Sequence, residues 1–259
     1  MLYFWIALAV ISAAVLAGLF VYFNNSTLQV THYVQNNGDK GVRIVQLSDL
    51  HGKSFGRKNS RLIKAVAAEK PSFIVITGDI VHRYRERDKR VALELVSALC
   101  AVAPVLFIAG NHEMRNKGYR FFRKDLKEAG AVVLDDEVIE ICGVTVAGLN
   151  CASSKNGTVK RLAVQDKQRA VLLAHMPHFF ESYAEAEFGL VLCGHAHGGQ
   201  WRIPFTGIGL YAPGQGAFPK LTAGRHTLNK TDMIISRGLG NSQFPLRLFN
   251  RPEIVVIDI

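Results

Sequence analysis

The sequence predicts an α/β fold carried behind one membrane-spanning helix, and three observations lead there. Short β-branched runs alternate with amphipathic stretches of helical period, each run breaks into glycine and polar residues where it ends, and the first 23 residues contain no charged side chain. A chain of 259 residues is long enough for one sizeable domain with a buried core. Its formal net charge of +10 suggests anionic partners, whether phosphorylated substrates, lipid headgroups or nucleic acid.

The opening segment is different in kind from the rest. Residues 2–23, at about 1.5 Å rise each, make a helix of roughly 33 Å, enough for a hydrocarbon layer of about 30 Å. Tyr3, Trp5, Tyr22 and Phe23 stand near its ends, where aromatic rings favour the interface. The competing reading is a cleaved secretory signal, but a basic leading region is missing and no small-x-small cleavage site follows. The division expected is therefore an anchor over residues 1–25, a segment 26–41 that is polar enough for a tether or an extended leading strand, and a catalytic-size domain over 42–259. No Lys or Arg precedes the span, whereas Lys40 and Arg43 follow it, which favours a single-pass cell-membrane protein with its domain on the cytoplasmic face.

Three segments then repeat one pattern: VRIVQLSDLHG (42–52), PSFIVITGDI (71–80) and APVLFIAGNHE (103–113) each read as a strand ending in a loop. Helical periodicity fills 59–69 and 89–100 between them and 119–129 after them. Such alternation implies parallel pairing, which gathers functional groups at the carboxyl ends of the strands. The second half is richer in strands. EVIEI and VTVAGL flank Cys142-Gly143 as a hairpin, and RAVLLAHMP, GLVLCGHAHGG, KTDMIISRGLG and PEIVVIDI add more. Cys100, Cys142, Cys151 and Cys193 are irregularly spaced without a CxxC, which argues against a zinc knuckle or a disulfide framework; Cys193 reads as a small buried residue of its strand.

The strand ends carry the chemistry. Asp49 and His51 close the first, Asp79 the second, Asn111 and His112 the third, His175 the next, and His195 and His197 the one after. Singly each has a bland role, as a helix cap, a turn residue or a satisfied core histidine. Gathered at one edge they would repel one another and lose solvation, so a bound cation is the economical explanation.

These stretches, SDLH, TGDI, GNHE, AHMP and GHAH, resemble in order the D-x-H, GD, GNH[DE], lone H and GH-x-H motifs of the calcineurin-like metallophosphoesterases, over residues from about 42 to 259. Downstream, HGGQWRIPF, SRGLGNS and RPEIVVIDI are similar to the small membrane-associated bacterial phosphodiesterase branch. The resemblance implies a four-layer αββα sandwich of two mixed sheets. It implies that Asp49, His51, Asp79 and His197 surround one divalent metal, that Asp79, Asn111, His175 and His195 surround a second, and that Asp79 bridges them. His112, beside a ligand but not itself one, would be the proton donor to the leaving oxygen, with Glu113 a candidate to position it.

Oxygen and imidazole ligands without thiolate suit manganese, iron, zinc or nickel, manganese first among them. Two divalent ions, two carboxylates and a bridging hydroxide leave about one positive charge facing a phosphate, and that hydroxide would attack phosphorus in line. The function implied is hydrolysis of a phosphodiester or pyrophosphate bond, on a lipid or nucleotide-linked lipid of the UDP-2,3-diacylglucosamine type. One alternative is a general phosphodiesterase or nuclease acting on soluble substrates. No nucleic acid is expected as a partner, because no aromatic-basic stacking surface is readable. The other alternative is an inert metal-binding interaction module, but no ligand is missing. HRYRERDKR (82–90) reads either as a basic rim or as a solvated loop leading into a helix. Together with Lys53, Arg57 and Lys58 it would turn the cavity toward anionic headgroups.

Overall fold

The computed structural model describes residues 1–35, 41–82, 84–155, 157–242 and 244–259, so Lys40 and Arg83, used above as charges, lie outside the described residues. Along the chain come α1 (Leu2–Ser26), β1 (Gln29–Val34), β2 (Arg43–Leu47), α2 (Ser60–Ala68), β3 (Phe73–Ile76), α3 (Glu86–Cys100), β4 (Val105–Phe107), α4 (Asn111–Met114), α5 (Tyr119–Glu128) and β5 (Val132–Val133). There follow β6 (Glu137–Ile141), β7 (Val144–Gly148), β8 (Val171–Leu173), α6 (Phe180–Glu185), β9 (Leu190–Cys193), β10 (Tyr211–Ala212), β11 (Gly216–Ala217), β12 (Gly224–Leu228), β13 (Thr231–Ile235) and β14 (Glu253–Asp258).

Two six-stranded mixed sheets form, in the orders β1-β14-β2-β3-β4-β5 and β12-β13-β9-β8-β7-β6. The period of two along each strand makes the layers. In β2, Ile44 faces the other sheet while Val45 and Leu47 face α2, α3 and α5; in β14, Val255 and Ile257 point between the sheets and Ile254 and Val256 toward the helices. In β9, Leu190 and Leu192 join the core between the sheets, and Val191 and Cys193 pack on the far side with Phe180 and Tyr183 of α6. The central strands of each sheet are thus buried on both faces, which is why β2, β3, β4, β8 and β9 read as apolar runs, while the edge strands β1, β6 and β12 are partly exposed. The four layers expected from the resemblance are present.

The hairpin at Cys142-Gly143 joins β6 and β7, with both turn residues in the left-handed region at φ 50° and 72°, the geometry that matches strand twist. Residues 29–34, left open above between tether and strand, pair in parallel with β14 and form an edge of the first sheet. β5, β10, β11 and β12 carry no signal recognised in the sequence; the first three have two residues each, β5 pairing with the distant β4 and β10 with β11 across a short turn. Of the cysteines, Cys151 and Cys193 are buried, Cys100 is half-buried and Cys142 is exposed.

At its carboxyl end α1 is tied to the domain. Asn25 Oδ1 accepts from the Arg247 backbone N–H at 2.8 Å, and Lys53 Nζ donates to the Asn25 carbonyl at 2.6 Å. That ammonium meets the negative end of the helix dipole. Burial, with Arg247 nearby, pulls Lys53 down to about 7. The residue is therefore engaged at the helix end and is not part of an open basic rim.

Candidate metal centre

β2, β3 and β4 of one sheet and β8, β9 and β13 of the other run parallel within their sheets, and the loops at their carboxyl ends meet. Gln46 fixes that meeting: its Nε2 donates to Thr77 Oγ1 at 3.0 Å and across the sheets to the Cys193 carbonyl at 2.8 Å. Just above this bridge lie all eight residues singled out in the sequence.

Five of those eight hold an unusual backbone. Asp49, His51, Asp79, His195 and His197 have φ of 52°, 51°, 54°, 67° and 50°, a region non-glycine residues seldom occupy. Such conformations cost on the order of 1–3 kcal/mol each and persist where neighbouring bonds impose them. Here the Asp49 N–H donates to the Gly78 carbonyl and the His51 N–H to the Asp79 carbonyl, both at 3.0 Å, locking one loop on the next. The motif glycines divide between two tasks: Gly78, Gly198 and Gly199 take positive φ of 92°, 64° and 76°, which glycine allows, while Gly110 and Gly194 make room. A Cβ on Gly194 would stand 2.5 Å from Asp49 Oδ2, and one on Gly110 would stand 2.7 Å from the Asp79 nitrogen. Neither glycine has positive φ; both leave room for a ligand's neighbourhood, while the ligands themselves take the strained turns.

Two sets of donor atoms result. In the first, His197 Nε2 lies 3.1 Å from His51 Nε2 and 3.5 Å from Asp49 Oδ1, and His51 Nε2 lies 3.9 Å from Asp79 Oδ2. In the second, His175 Nε2 lies 3.2 Å from Asp79 Oδ2, 3.3 Å from Asn111 Oδ1 and 3.2 Å from His195 Nδ1. Asp79 Oδ2 thus reaches a histidine of each set. Asp49, His51 and His197 form one compact group, and Asp79, His175 and His195 another.

The electrostatics of these groups suits ligands of divalent cations. Burial pulls His51 and His195 down to about 3 and His197 well below its ordinary value. Two neutral imidazoles whose Nε2 atoms meet at 3.1 Å can share one N–H between them, and a divalent cation in its place would take both lone pairs. His175 behaves oppositely: burial disfavours its charge, but the Asp79 and Asp49 carboxylates outweigh burial and push it up to about 10. Its Nδ1 donates to the Thr77 carbonyl at 2.7 Å, so the neutral tautomer leaves Nε2 as a ligand. Asp49 is raised by burial to about 6, and Asp79 is held well below the carboxylate range by His175 despite its burial. The oxygen and imidazole donors fit a pair of divalent metals.

His112 Nδ1 donates to the His82 carbonyl at 2.8 Å, which fixes the tautomer and leaves Nε2 for other work. Glu113 does not touch it. That fully buried carboxylate accepts from the backbone N–H groups of Asp79 at 2.7 Å, Gly110 at 2.9 Å and Val81 at 3.2 Å. It staples the Asp79 loop to the Asn111 loop, and burial beside Asp79 pushes it up to about 8.

A cavity of about 300 Å³ opens on the centre, lined by Asp79, Asn111, His112, His195 and His197 and also by His82, Arg115, His178 and Ser242. Sequence reasoning did not place the last four there. His82 was absorbed into the basic run, yet its Nδ1 stands 3.3 Å from His51 Nδ1; its signal was the spacing of three from Asp79, as His178 is three from His175. The later part of that run opens α3, which begins at Glu86, and Glu86 pairs with Lys89. Arg57 and Lys58 line a separate cavity between α2, α3 and α5 that holds none of the candidate ligands.

Fold and centre together define a metal-dependent phosphoric ester hydrolase. The family sequence model for calcineurin-like phosphoesterases matches residues 42–199, and the chain belongs to that family. It is similar to the uncharacterized metallophosphoesterase YkuE of Bacillus subtilis, 29% identical over 238 residues that cover 86% of this chain and 80% of that one. Phosphodiesterase YaeI of Escherichia coli is 28% identical over 229 residues, covering 84% and 82%. An uncharacterized metallophosphoesterase of Aquifex aeolicus is 28% identical over 265 residues, covering 95% and 97%.

Proposed function

We propose that this phosphodiesterase hydrolyses a phosphodiester or pyrophosphate bond of a lipid or nucleotide-linked lipid, of the UDP-2,3-diacylglucosamine type, from the cytoplasmic face of the cell membrane. The observation that carries the reading is the reach of Asp79 Oδ2 to a histidine of each ligand set at the mouth of one cavity, in a chain whose first helix has mean hydropathy 2.5 and the length to cross a bilayer. In it, Asp49, His51, Asp79 and His197 hold one divalent ion, and Asp79, Asn111, His175 and His195 hold the other.

When bound, the two ions supply positive charge that acidifies water and neutralises phosphoryl oxygens. The protein's own groups do the rest. Asn111 and the four ligand histidines fix where a phosphate can lie. Arg115, at the cavity rim, offers a guanidinium to an anionic headgroup. His112, held through Nδ1 by the His82 carbonyl, presents Nε2 to the cavity and in its protonated form delivers a proton to the leaving oxygen. The strained loops are pinned by Glu113 and the crossed backbone bonds, so the donors are in place before substrate arrives.

The test has two arms, both on full-length protein reconstituted with manganese in lipid nanodiscs. Elemental analysis should find that Asp79→Asn empties both metal positions while Asp49→Asn chiefly empties one; equal losses would remove Asp79 as the bridge. Hydrolysis should favour a nucleotide-linked diacyl pyrophosphate over a soluble nitrophenyl diester. Brisk cleavage of the soluble diester with none of any lipid would leave a general phosphodiesterase that is merely anchored.

A further inference from the structure

We infer that the hairpin 201–210 and the strap 244–249 form a lipid-docking collar that seats the mouth of the metal cavity on the bilayer surface beside α1. The inference rests on reading α1 as a membrane span, and it extends the proposed function by assigning a surface to the membrane.

Between Glu187 and Glu253 the chain has one acidic residue, Asp232, against seven Lys or Arg. Within that stretch large apolar side chains stand in solvent. Phe205, at the tip of the hairpin, is fully exposed, and Trp201, Ile203, Phe244, Leu246 and Phe249 are each between 37% and 49% exposed. Exposed aromatic and aliphatic side chains gathered on one basic surface mark a contact with another phase or another molecule.

Their arrangement is held in place. The Ile203 N–H donates to the Ile208 carbonyl at 2.9 Å and the Leu210 N–H to the Trp201 carbonyl at 2.8 Å, which closes the hairpin; the Arg202 N–H donates to the Leu248 carbonyl at 3.0 Å, which joins it to the strap. Trp201 Nε1 donates to the Leu246 carbonyl at 3.0 Å, so its one polar atom is satisfied and its ring can enter an apolar layer without losing a hydrogen bond.

Two continuities say what covers this surface. Phe249 packs on Phe20 of α1 with ring centroids 5.0 Å apart, and Arg251 lies 4.7 Å over the Phe23 ring. A groove of about 390 Å³ is walled on one side by Phe20 and Phe23 and on the other by Ile203, Phe205 and Phe249. The apolar collar therefore begins where the apolar helix ends, at the level where a span leaves the hydrocarbon, and the partly exposed Arg202 and Arg251 beside it match anionic headgroups. On its other side the strap starts two residues after Ser242, and the hairpin four residues after His197, both in the wall of the metal cavity. A lipid whose headgroup enters that cavity has its acyl chains beside the collar. The occupant is the lipid interface; a second protein would be an outcome of the test.

The chain has two tryptophans, Trp5 and Trp201, so Trp5→Phe leaves a single reporter on the collar. Full-length Trp5→Phe protein is reconstituted in phosphatidylglycerol and phosphatidylcholine vesicles, with and without brominated acyl chains. The expected result is severalfold quenching of Trp201 by brominated lipid and protection from aqueous iodide. Free access of iodide with no quenching by brominated lipid would overturn the proposal, as would self-association that protects Trp201 equally in detergent. Phe205→Glu, at a fully exposed position, should lower turnover of a vesicle-borne diester about tenfold and leave a soluble diester unaffected; equal turnover on vesicles would count against docking. Quenching of Trp201 in an enzyme that cleaves no lipid would retain the collar and remove the lipid substrate, so the two readings fail separately.

Discussion

His112 sits next to Asn111 but outside the two groups of donors that hold Asp49 and Asp79; it gathers instead with His51 and His82, and its Nδ1 is committed to the His82 carbonyl. A proton donor must approach the leaving oxygen without being held by the ion that holds the phosphate, and this side chain meets that condition. His112→Ala should keep metal content near wild type while turnover of a diester with a poor leaving group falls by roughly 10² to 10⁴. An activated nitrophenyl ester, whose leaving group needs no proton, should suffer much less. Equal loss on both substrates would assign His112 to structure. His82 is the more instructive residue: by sequence a member of a charged run, by structure a wall of the cavity, moved there by the strained turn at Asp79.

At the scale of elements, the short α4 does more than carry Asn111. From its third residue Glu113 reaches the loop after β3 and takes three backbone N–H groups there and at Gly110. No other described acceptor is bonded to the Asp79 or Gly110 nitrogens, so Glu113→Ala orphans buried donors at roughly 1–3 kcal/mol each. The expected outcome is a loss of several kcal/mol in urea unfolding, together with weaker metal binding at both positions because Asp79 is no longer held. Unchanged stability would mean that water replaces the carboxylate. The same logic explains why Gly110 and Gly194 tolerate no side chain: Gly110 abuts Asp79 from the neighbouring strand of its own sheet and Gly194 abuts Asp49 from the other sheet, each so closely that a methyl group would crowd a carboxylate.

For the whole molecule, the centre couples fold stability to pH, and metal should reverse the coupling. His175 is raised to about 10 in the fold against an ordinary 6.5, so in metal-free protein its contribution is complete below pH 6.5 and is lost as pH rises toward 10. Glu113, raised to about 8, acts in the same direction over pH 6.5 to 8. Lys53, pulled down to about 7, acts the other way above pH 7, so chelator-treated protein should melt at progressively lower temperature from pH 6.5 to 8 and level off beyond it. Manganese-loaded protein should gain stability over that range, since a ligand histidine must be neutral to bind and protons no longer compete. Parallel melting curves with and without metal would show that His175 is not a ligand.

The sequence by itself determined the alternation of strands and helices, the apolar first helix and the eight residues at strand ends. Each of these rests on local signals: the period of apolar residues, the break into glycine, and the spacing of Asp and His along one chain. Even the four layers were legible through the resemblance that SDLH, TGDI, GNHE, AHMP and GHAH carry. Tertiary structure alone decided which donors share a centre, because His51 and His197 are 146 positions apart and meet only when two sheets bring their carboxyl edges together. It decided that residues 29–34 are a strand, since an edge strand takes its hydrogen bonds from β14, at the far end of the chain. It decided the work of Glu113, His82 and Lys53, whose partners are backbone atoms and buried rings that leave no trace in residue type. It also made the exposed apolar collar visible, because solvent exposure belongs to the folded surface and not to the order of residues along the chain.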